Sequence, residues 1–150
     1  MKTKHLPLLL LMLAVIPMLS FKPESKVQDY RIAIGFAYKD MKCGGLTVKT
    51  AVGYEFRTSK GGSISDMTAE VRKYTALQNN VDNSDIVIKT GYKSNAVVIS
   101  YKKKISGWNC EKTMYAAGFG NSHDEAVNHA VSNMEASNAS YTVLHRISAY

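Results

Sequence analysis

The chain has 150 residues, of which 45% are hydrophobic, 9% aromatic and 21% charged. This composition excludes a disordered tail, a fibrous repeat and a disulfide-dense miniprotein, and it is typical of a globular domain. The 19 Lys and Arg residues outnumber the 12 Asp and Glu residues, so the formal charge is +7 and the protein is basic without being extreme.

The chain begins with a pattern that is typical of an export signal. Lys2 and Lys4 precede an apolar run over residues 6–19. This run is short for a transmembrane helix, which needs about 20 apolar residues, and it matches the apolar core of a secretory signal better than a buried N-terminal helix. We therefore predict a signal peptide over residues 1–20. The mature chain, 21–150, is then secreted or periplasmic, keeps no transmembrane segment and has a charge of +5.

A hydrophobic period of two predicts a β-hairpin at the start of the mature chain. Large, mostly apolar residues alternate with small or polar ones over 30–39 and again over 46–57, with turn residues between them. The period then becomes helical after Ser63, where Asp66 three residues later completes a capping box. Residues 86–92 form a third predicted strand.

The same order of elements recurs in the second half. Residues 96–104 and 110–119 are predicted to form a second hairpin. A second capping box, at Ser122 and Glu125, opens a second helix, and residues 141–149 form the last strand. Short stretches of the two halves resemble each other, such as Ala-Val-Gly-Tyr and Ala-Ala-Gly-Phe near the end of each hairpin. An internal duplication is therefore one explanation, and shared turn chemistry is the other.

These elements predict a single α+β domain of order ββαβ-ββαβ, with possible pseudo-repeats over 29–92 and 95–150. We expect a mostly antiparallel sheet of about six strands with two amphipathic helices on one face. The first hairpin has a face of small residues and a face of large Ile, Val, Phe and Tyr side chains. If the helices cover the large face, the small face is solvated. If they do not, the Tyr-rich face meets a partner, such as a second copy in a homodimer.

Cys43 and Cys110 are the two cysteines of the chain. Export would take them to a compartment where disulfides persist, and an even count allows them to pair. Neither belongs to a Cys-x-x-Cys motif or stands beside a histidine, so thiol catalysis and zinc binding have no local signature. We predict one structural disulfide. Because each cysteine lies in or beside the turn of its hairpin, the bond would bring the two hairpin ends together.

Side chains capable of catalysis lack the spacing that catalysis needs. His123 and His129 are six residues apart, which places them on different sides of a helix. Asp124 and Glu125 fit the first helical turn, where the helix dipole favours carboxylates. The sequence contains no nucleophile elbow, no phosphate-binding glycine fingerprint and no metal-ligand spacing. We predict no catalytic residue, no metal and no cofactor, with a small secreted hydrolase as the alternative.

The predicted binding surface lies at the two hairpin ends. Basic and aromatic side chains gather there: Tyr38, Lys39, Lys42, Lys102, Lys103, Lys104 and Trp108. Such surfaces are typical of binding hot spots, and lysine clusters attract polyanions. We expect the partner to be a protein or an anionic glycan or envelope surface, and not a nucleic acid. The alternative is that the lysines protect an edge strand and that the Trp folds over the disulfide.

Overall fold

The structure is a computed structural model that describes residues 29–150, and the predicted signal peptide lies outside these residues. The regular elements are β1 (Tyr30–Cys43), β2 (Leu46–Lys60), α1 (Ile64–Asn79), β3 (Ile86–Gly91), β4 (Asn95–Lys104), β5 (Glu111–Gly120), α2 (His123–Ser132) and β6 (Tyr141–Ser148). The predicted α+β class, six strands, two helices and order ββαβ-ββαβ are confirmed. Within 29–150, no helix is long and apolar enough to cross a membrane.

The six strands divide into two antiparallel sheets, with strand orders β2-β1-β3 and β5-β4-β6. The sequence predicts one sheet with both helices on one face, and this part of the prediction is wrong. In each half, the third strand pairs with the free side of the first strand, so each half completes a three-stranded sheet of its own. The two sheets pack face to face, and each helix covers the outer face of its own sheet. The layers are therefore α1, first sheet, second sheet and α2.

The alternation of β1 decides which face meets the helix and which meets the second sheet. Ile32, Ile34 and Phe36 are buried in the core between the sheets, together with residues of β4, β5 and β6. The intervening small residues face α1, where a Cβ atom on Gly35 would overlap side chains of the helix. The large side chains of β1 therefore pack against the second half of the same chain. This face is covered without a second copy of the protein.

Both helices begin at a serine, as the capping-box patterns predict. The Ser63 hydroxyl accepts a hydrogen bond from the Asp66 N–H at 3.3 Å, and the Ser122 hydroxyl accepts one from the Glu125 N–H at 3.2 Å. Each helix is followed by an asparagine at its C-cap, Asn80 and Asn133. The serine hydroxyls and the backbone N–H groups of the two asparagines satisfy backbone groups that a helix leaves unpaired at its ends. The caps therefore fix where each helix begins and ends against its sheet.

Candidate functional site

The disulfide joins the two hairpin ends, as the sequence predicts. Cys43 at the end of β1 is bonded to Cys110 just before β5, with Cα atoms 6.2 Å apart. Trp108 lies in the β4–β5 turn and packs over Gly44 in the β1–β2 turn, where a Cβ atom would overlap the indole ring. The indole nevertheless remains 44% exposed. The indole thus packs across the two turns and still presents a face to solvent.

The lysines at this end differ in their partners. Lys42 donates a hydrogen bond to Thr47 at 2.6 Å, and Lys102 donates one to Thr113 at 2.8 Å. Among the described residues, the ammonium groups of Lys39 and Lys104 have no hydrogen-bond or ion-pair partner. We call the following set the basic end: Lys42, Lys102, Lys104 and Trp108. Lys39, predicted to belong to it, instead lines a depression with Asp82 and Asp85 beside the end of α1. The carboxylate of Glu111, which lines the same depressions as Lys104, partly offsets its positive charge.

Lys103 lies beside the basic end, on the face of β4 that is covered by α2. Its ammonium group forms an ion pair with Glu135 at 2.5 Å. The hydrogen bond raises the pKa of Lys103 and lowers the pKa of Glu135. The Glu135 N–H also donates to the Tyr101 hydroxyl at 2.9 Å, which ties the segment after α2 to β4. Strand alternation gives Lys103 the opposite face of β4 from Lys102 and Lys104, although all three line one depression beside residues 136–140. Lys103 differs from these two in its ion pair with an acid.

Tyr38 does not lie at the basic end but lines a cleft between the two sheets. The cleft has a volume of about 480 Å³ and opens between β3, at the edge of the first sheet, and β5, at the edge of the second. Ligand pockets for small molecules fall in this size range. Its lining includes aromatic and apolar side chains and a set of charged ones: Phe36, Tyr38, Val87, Tyr101, Met114 and Tyr115; Lys49, Lys89, Lys112, Asp85 and Glu135.

Aromatic packing and burial define the interior of the cleft. The rings of Phe36 and Tyr115 pack with centroids 5.6 Å apart, and Tyr54 packs edge-on against Tyr115 at 5.7 Å. Burial is the main reason that the pKa of Tyr38 is raised to about 12, and it also raises the pKa of Tyr115. Both phenols therefore stay protonated at neutral pH and are available as hydrogen-bond donors.

The cleft has more positive than negative charge. Lys49 pairs with Asp85 at 2.8 Å and with Asp40 at 2.9 Å, and the other acid of the lining, Glu135, pairs with a lysine of β4. Lys89 and Lys112 form no ion pair within residues 29–150. Their charges contribute to the lowered pKa of Glu135, so both lie near this carboxylate. Two cations are thus left without an anion of their own at one side of the cleft.

The histidines of α2 are engaged in local contacts. His123 Nε2 lies 3.3 Å from the Ser148 hydroxyl, which donates to Asn95 Oδ1 at 3.1 Å. A hydroxyl has one hydrogen, so donation to Asn95 leaves none for the histidine to accept. His129 Nδ1 lies 3.1 Å from the backbone of Phe119. Between residues 29 and 150, no group of His, Cys, Asp and Glu side chains could hold a metal ion.

The sequence does not predict the cleft because its walls come from five separate strands. Tyr38 was grouped with the lysines that follow it in the chain, whereas its ring shares the face of Phe36. One local signal could have pointed to the site: Lys89 interrupts the apolar run of β3, at a position where a buried strand would keep an aliphatic residue. A charge in such a run indicates an edge strand or an opening beside it.

The described residues thus present two candidate binding surfaces, the basic end and the cleft. Comparisons with protein-family models, with curated proteins and with solved structures give no match. The function is therefore inferred from the chemistry of the two surfaces. One surface is open and basic with a single exposed indole, and the other is concave and aromatic with lysines at its margin.

Proposed function

We propose that the protein is an exported binding domain without catalysis of its own and that the basic end is its contact surface. The observation that supports this proposal is the half-exposed indole of Trp108, which packs on Gly44 beside the disulfide. A rigid aromatic group loses little conformational entropy when it binds, and aromatic residues are enriched among binding hot spots. The disulfide and the signal pattern together favour a secreted or periplasmic location.

The chemistry of the basic end favours an anionic polymer as its partner. Its lysines are exposed on an open surface, so a ligand with charges spaced along a flexible chain would reach several of them at once. Such attraction is long-ranged and falls with ionic strength. We therefore propose that the partner is an anionic glycan or envelope polymer.

Retention on immobilised heparin, a sulfated polysaccharide, tests this proposal. The double variant Lys102→Gln and Lys104→Gln should elute at lower salt than the wild type, and Trp108→Ala should also elute earlier. A matched control replaces Lys73 and Lys93, two exposed lysines of the described chain, with glutamine. The proposal fails if the test and control doubles elute together, since retention would then follow net charge alone.

The alternative, a small hydrolase, has one structural feature in its favour. Ser148 and His123 are in contact, but the hydroxyl donates to Asn95 and, among the described residues, no acid is paired with the histidine. We expect no labelling of the protein by a fluorophosphonate, which reacts with activated serines. Labelling at Ser148 that disappears in His123→Ala would overturn the proposal of a non-catalytic domain.

A further inference from the structure

We propose that the cleft between the two sheets binds a small organic anion that has an aromatic or apolar body. This site is separate from the basic end and would add a second, small-molecule ligand to the proposed function. In our assignment, Lys89 and Lys112 receive the negative charge. The half-buried ring of Tyr115, which packs against the buried Phe36, receives the body of the ligand.

The shape of the cleft favours a small molecule over a polymer. Its volume of about 480 Å³ matches the cavities that bury most of a drug-sized ligand. Phe36 and Tyr115 are held in place by their mutual contact at 5.6 Å and by the surrounding core. Rigid aromatic surface of this kind favours binding because little side-chain entropy is lost. An inorganic anion would leave this apolar lining unused.

The charges of the cleft favour an anion over a neutral molecule. Three lysines, at positions 89, 103 and 112, act on the carboxylate of Glu135, and the other acid of the lining, Asp85, is paired with Lys49. The close ion pair uses only one of the three, Lys103, so two positive charges remain at this side of the cleft. A carboxylate, sulfonate or phosphate ester on a ligand would neutralise them in a partly enclosed, lower-dielectric site, where charge pairs are stronger than in open water.

Hydroxyl groups of the lining supply a further means of recognition. Within residues 29–150, the Tyr38 hydroxyl has no hydrogen-bond partner, although its ring is half-buried. Its pKa is raised to about 12, so it stays a donor over the whole physiological range. A ligand anion beside the two lysines could accept this hydrogen bond. The lysines would pair with the charge of an amphipathic anion, and the phenol would orient it by a hydrogen bond. The aromatic lining would contact its apolar body.

Two related dyes test this proposal on the full disulfide-bonded protein. The probes are 8-anilinonaphthalene-1-sulfonate, an anion, and N-phenyl-1-naphthylamine, a similar ring system without the charge. We expect one sulfonate dye per chain. The double variant Lys89→Gln and Lys112→Gln should weaken binding of the sulfonate roughly tenfold, which corresponds to about 1.4 kcal/mol, while binding of the neutral dye stays unchanged.

Matched variants separate this site from the basic end and from unfolding. The control double, Lys73→Gln and Lys93→Gln, should bind both dyes as the wild type does. The double variant Lys89→Arg and Lys112→Arg should keep sulfonate binding. Val87→Trp at the exposed edge of β3 should fill the mouth of the cleft and block both dyes. Trp108→Ala should change neither. Circular dichroism and thermal unfolding of each variant show whether the fold is kept.

Three outcomes would overturn the proposal. Absence of binding by either dye removes the site. Equal loss of the sulfonate dye in the test and control doubles removes the assigned lysines. Loss of dye binding in Trp108→Ala, with Val87→Trp unaffected, moves the site to the basic end. Heparin retention is measured separately from dye binding. Failure of this proposal can therefore be told apart from failure of the proposed function.

Discussion

Tyr38 precedes Lys39 in the chain, yet its ring enters the cleft between the sheets while the lysine stays at the surface. The period of two predicts this split, because Phe36 and Tyr38 share a face of β1 and Lys39 has the opposite one. What the period leaves open is the surface that the face meets. Here it meets β4 and β5 of the second half, and burial against them changes the chemistry of the phenol.

The raised pKa of Tyr38 predicts a loss of stability in alkali. Its pKa is near 10 in an unfolded chain and about 12 in the folded protein. This contribution is complete below about pH 10 and is lost as the pH rises towards 12, because the unfolded chain releases its proton first. Tyr38→Phe should therefore lose about 1–2 kcal/mol less free energy of unfolding than the wild type between about pH 9 and 11.5.

Urea unfolding at the two pH values measures this difference. Tyr150→Phe is the matched control, since Tyr150 is 92% exposed at the end of the chain. The control should lose as much free energy of unfolding as the wild type. Equal losses in Tyr38→Phe and Tyr150→Phe would mean that burial of Tyr38 has no effect on its ionisation.

At the scale of elements, β5 passes so close to α2 that Gly118 has no room for a side chain. A Cβ atom there would overlap backbone atoms of Ala126 and Ala130. In the first half, Gly53 holds the corresponding place, and a Cβ atom would overlap the side chain of Asn79 in α1. The short sequence similarity between the halves therefore falls where a strand meets its helix. Close packing alone would select glycine at both places.

This packing predicts a graded cost for alanine substitutions. Gly118→Ala should lower the free energy of unfolding by about 3 kcal/mol, because helix backbone must move to admit the methyl group. Gly53→Ala should cost less, since a side chain can shift more easily than backbone. Gly45→Ala is the control, because the nearest atom would lie 4.0 Å from the new Cβ. Urea unfolding checks the order, which would be wrong if Gly53→Ala cost more than Gly118→Ala.

The elements themselves follow from local pattern, whereas their assembly does not. Alternation located the strands, and the Ser63 and Ser122 caps located the helix starts, because these signals involve residues close in the chain. The division into two sheets depends on β3 pairing with β1 and β6 with β4, across separations that no local signal specifies. The cleft was missed for the same reason. Its lining joins residues from Phe36 to Glu135, which only the packed sheets bring together.

At the scale of the whole molecule, the disulfide connects one half to the other. Cys43 and Cys110 are 67 residues apart, so the bond removes much freedom from the unfolded chain. Replacing both cysteines with serine should lower the free energy of unfolding by up to about 4 kcal/mol. Urea unfolding with and without a reductant checks this: the wild type should weaken on reduction, and the serine double should not respond. An unchanged wild type would contradict the prediction.

The interface between the sheets is large and aromatic, which favours a single domain over two linked ones. Phe56 of β2 packs on His145 of β6 with ring centroids 4.8 Å apart, and Phe36 packs on Tyr115 across the same interface. Separation of the halves would expose Ile32, Ile34 and their neighbours, which are fully buried in the intact chain. Burial of this kind is the main contribution to folding free energy, so neither half should keep its structure alone.

A protease site placed in the β3–β4 connection, at residues 92–94, tests the single-domain prediction. After cleavage and reduction of the disulfide, the two pieces should elute together in size exclusion, because the aromatic interface still holds them. Their unfolding midpoint in urea should then rise with protein concentration, as it does for any associated pair. The uncleaved reduced chain is the control, and its midpoint should not depend on concentration. Pieces that separate while each keeps its native circular dichroism would show two independent domains instead.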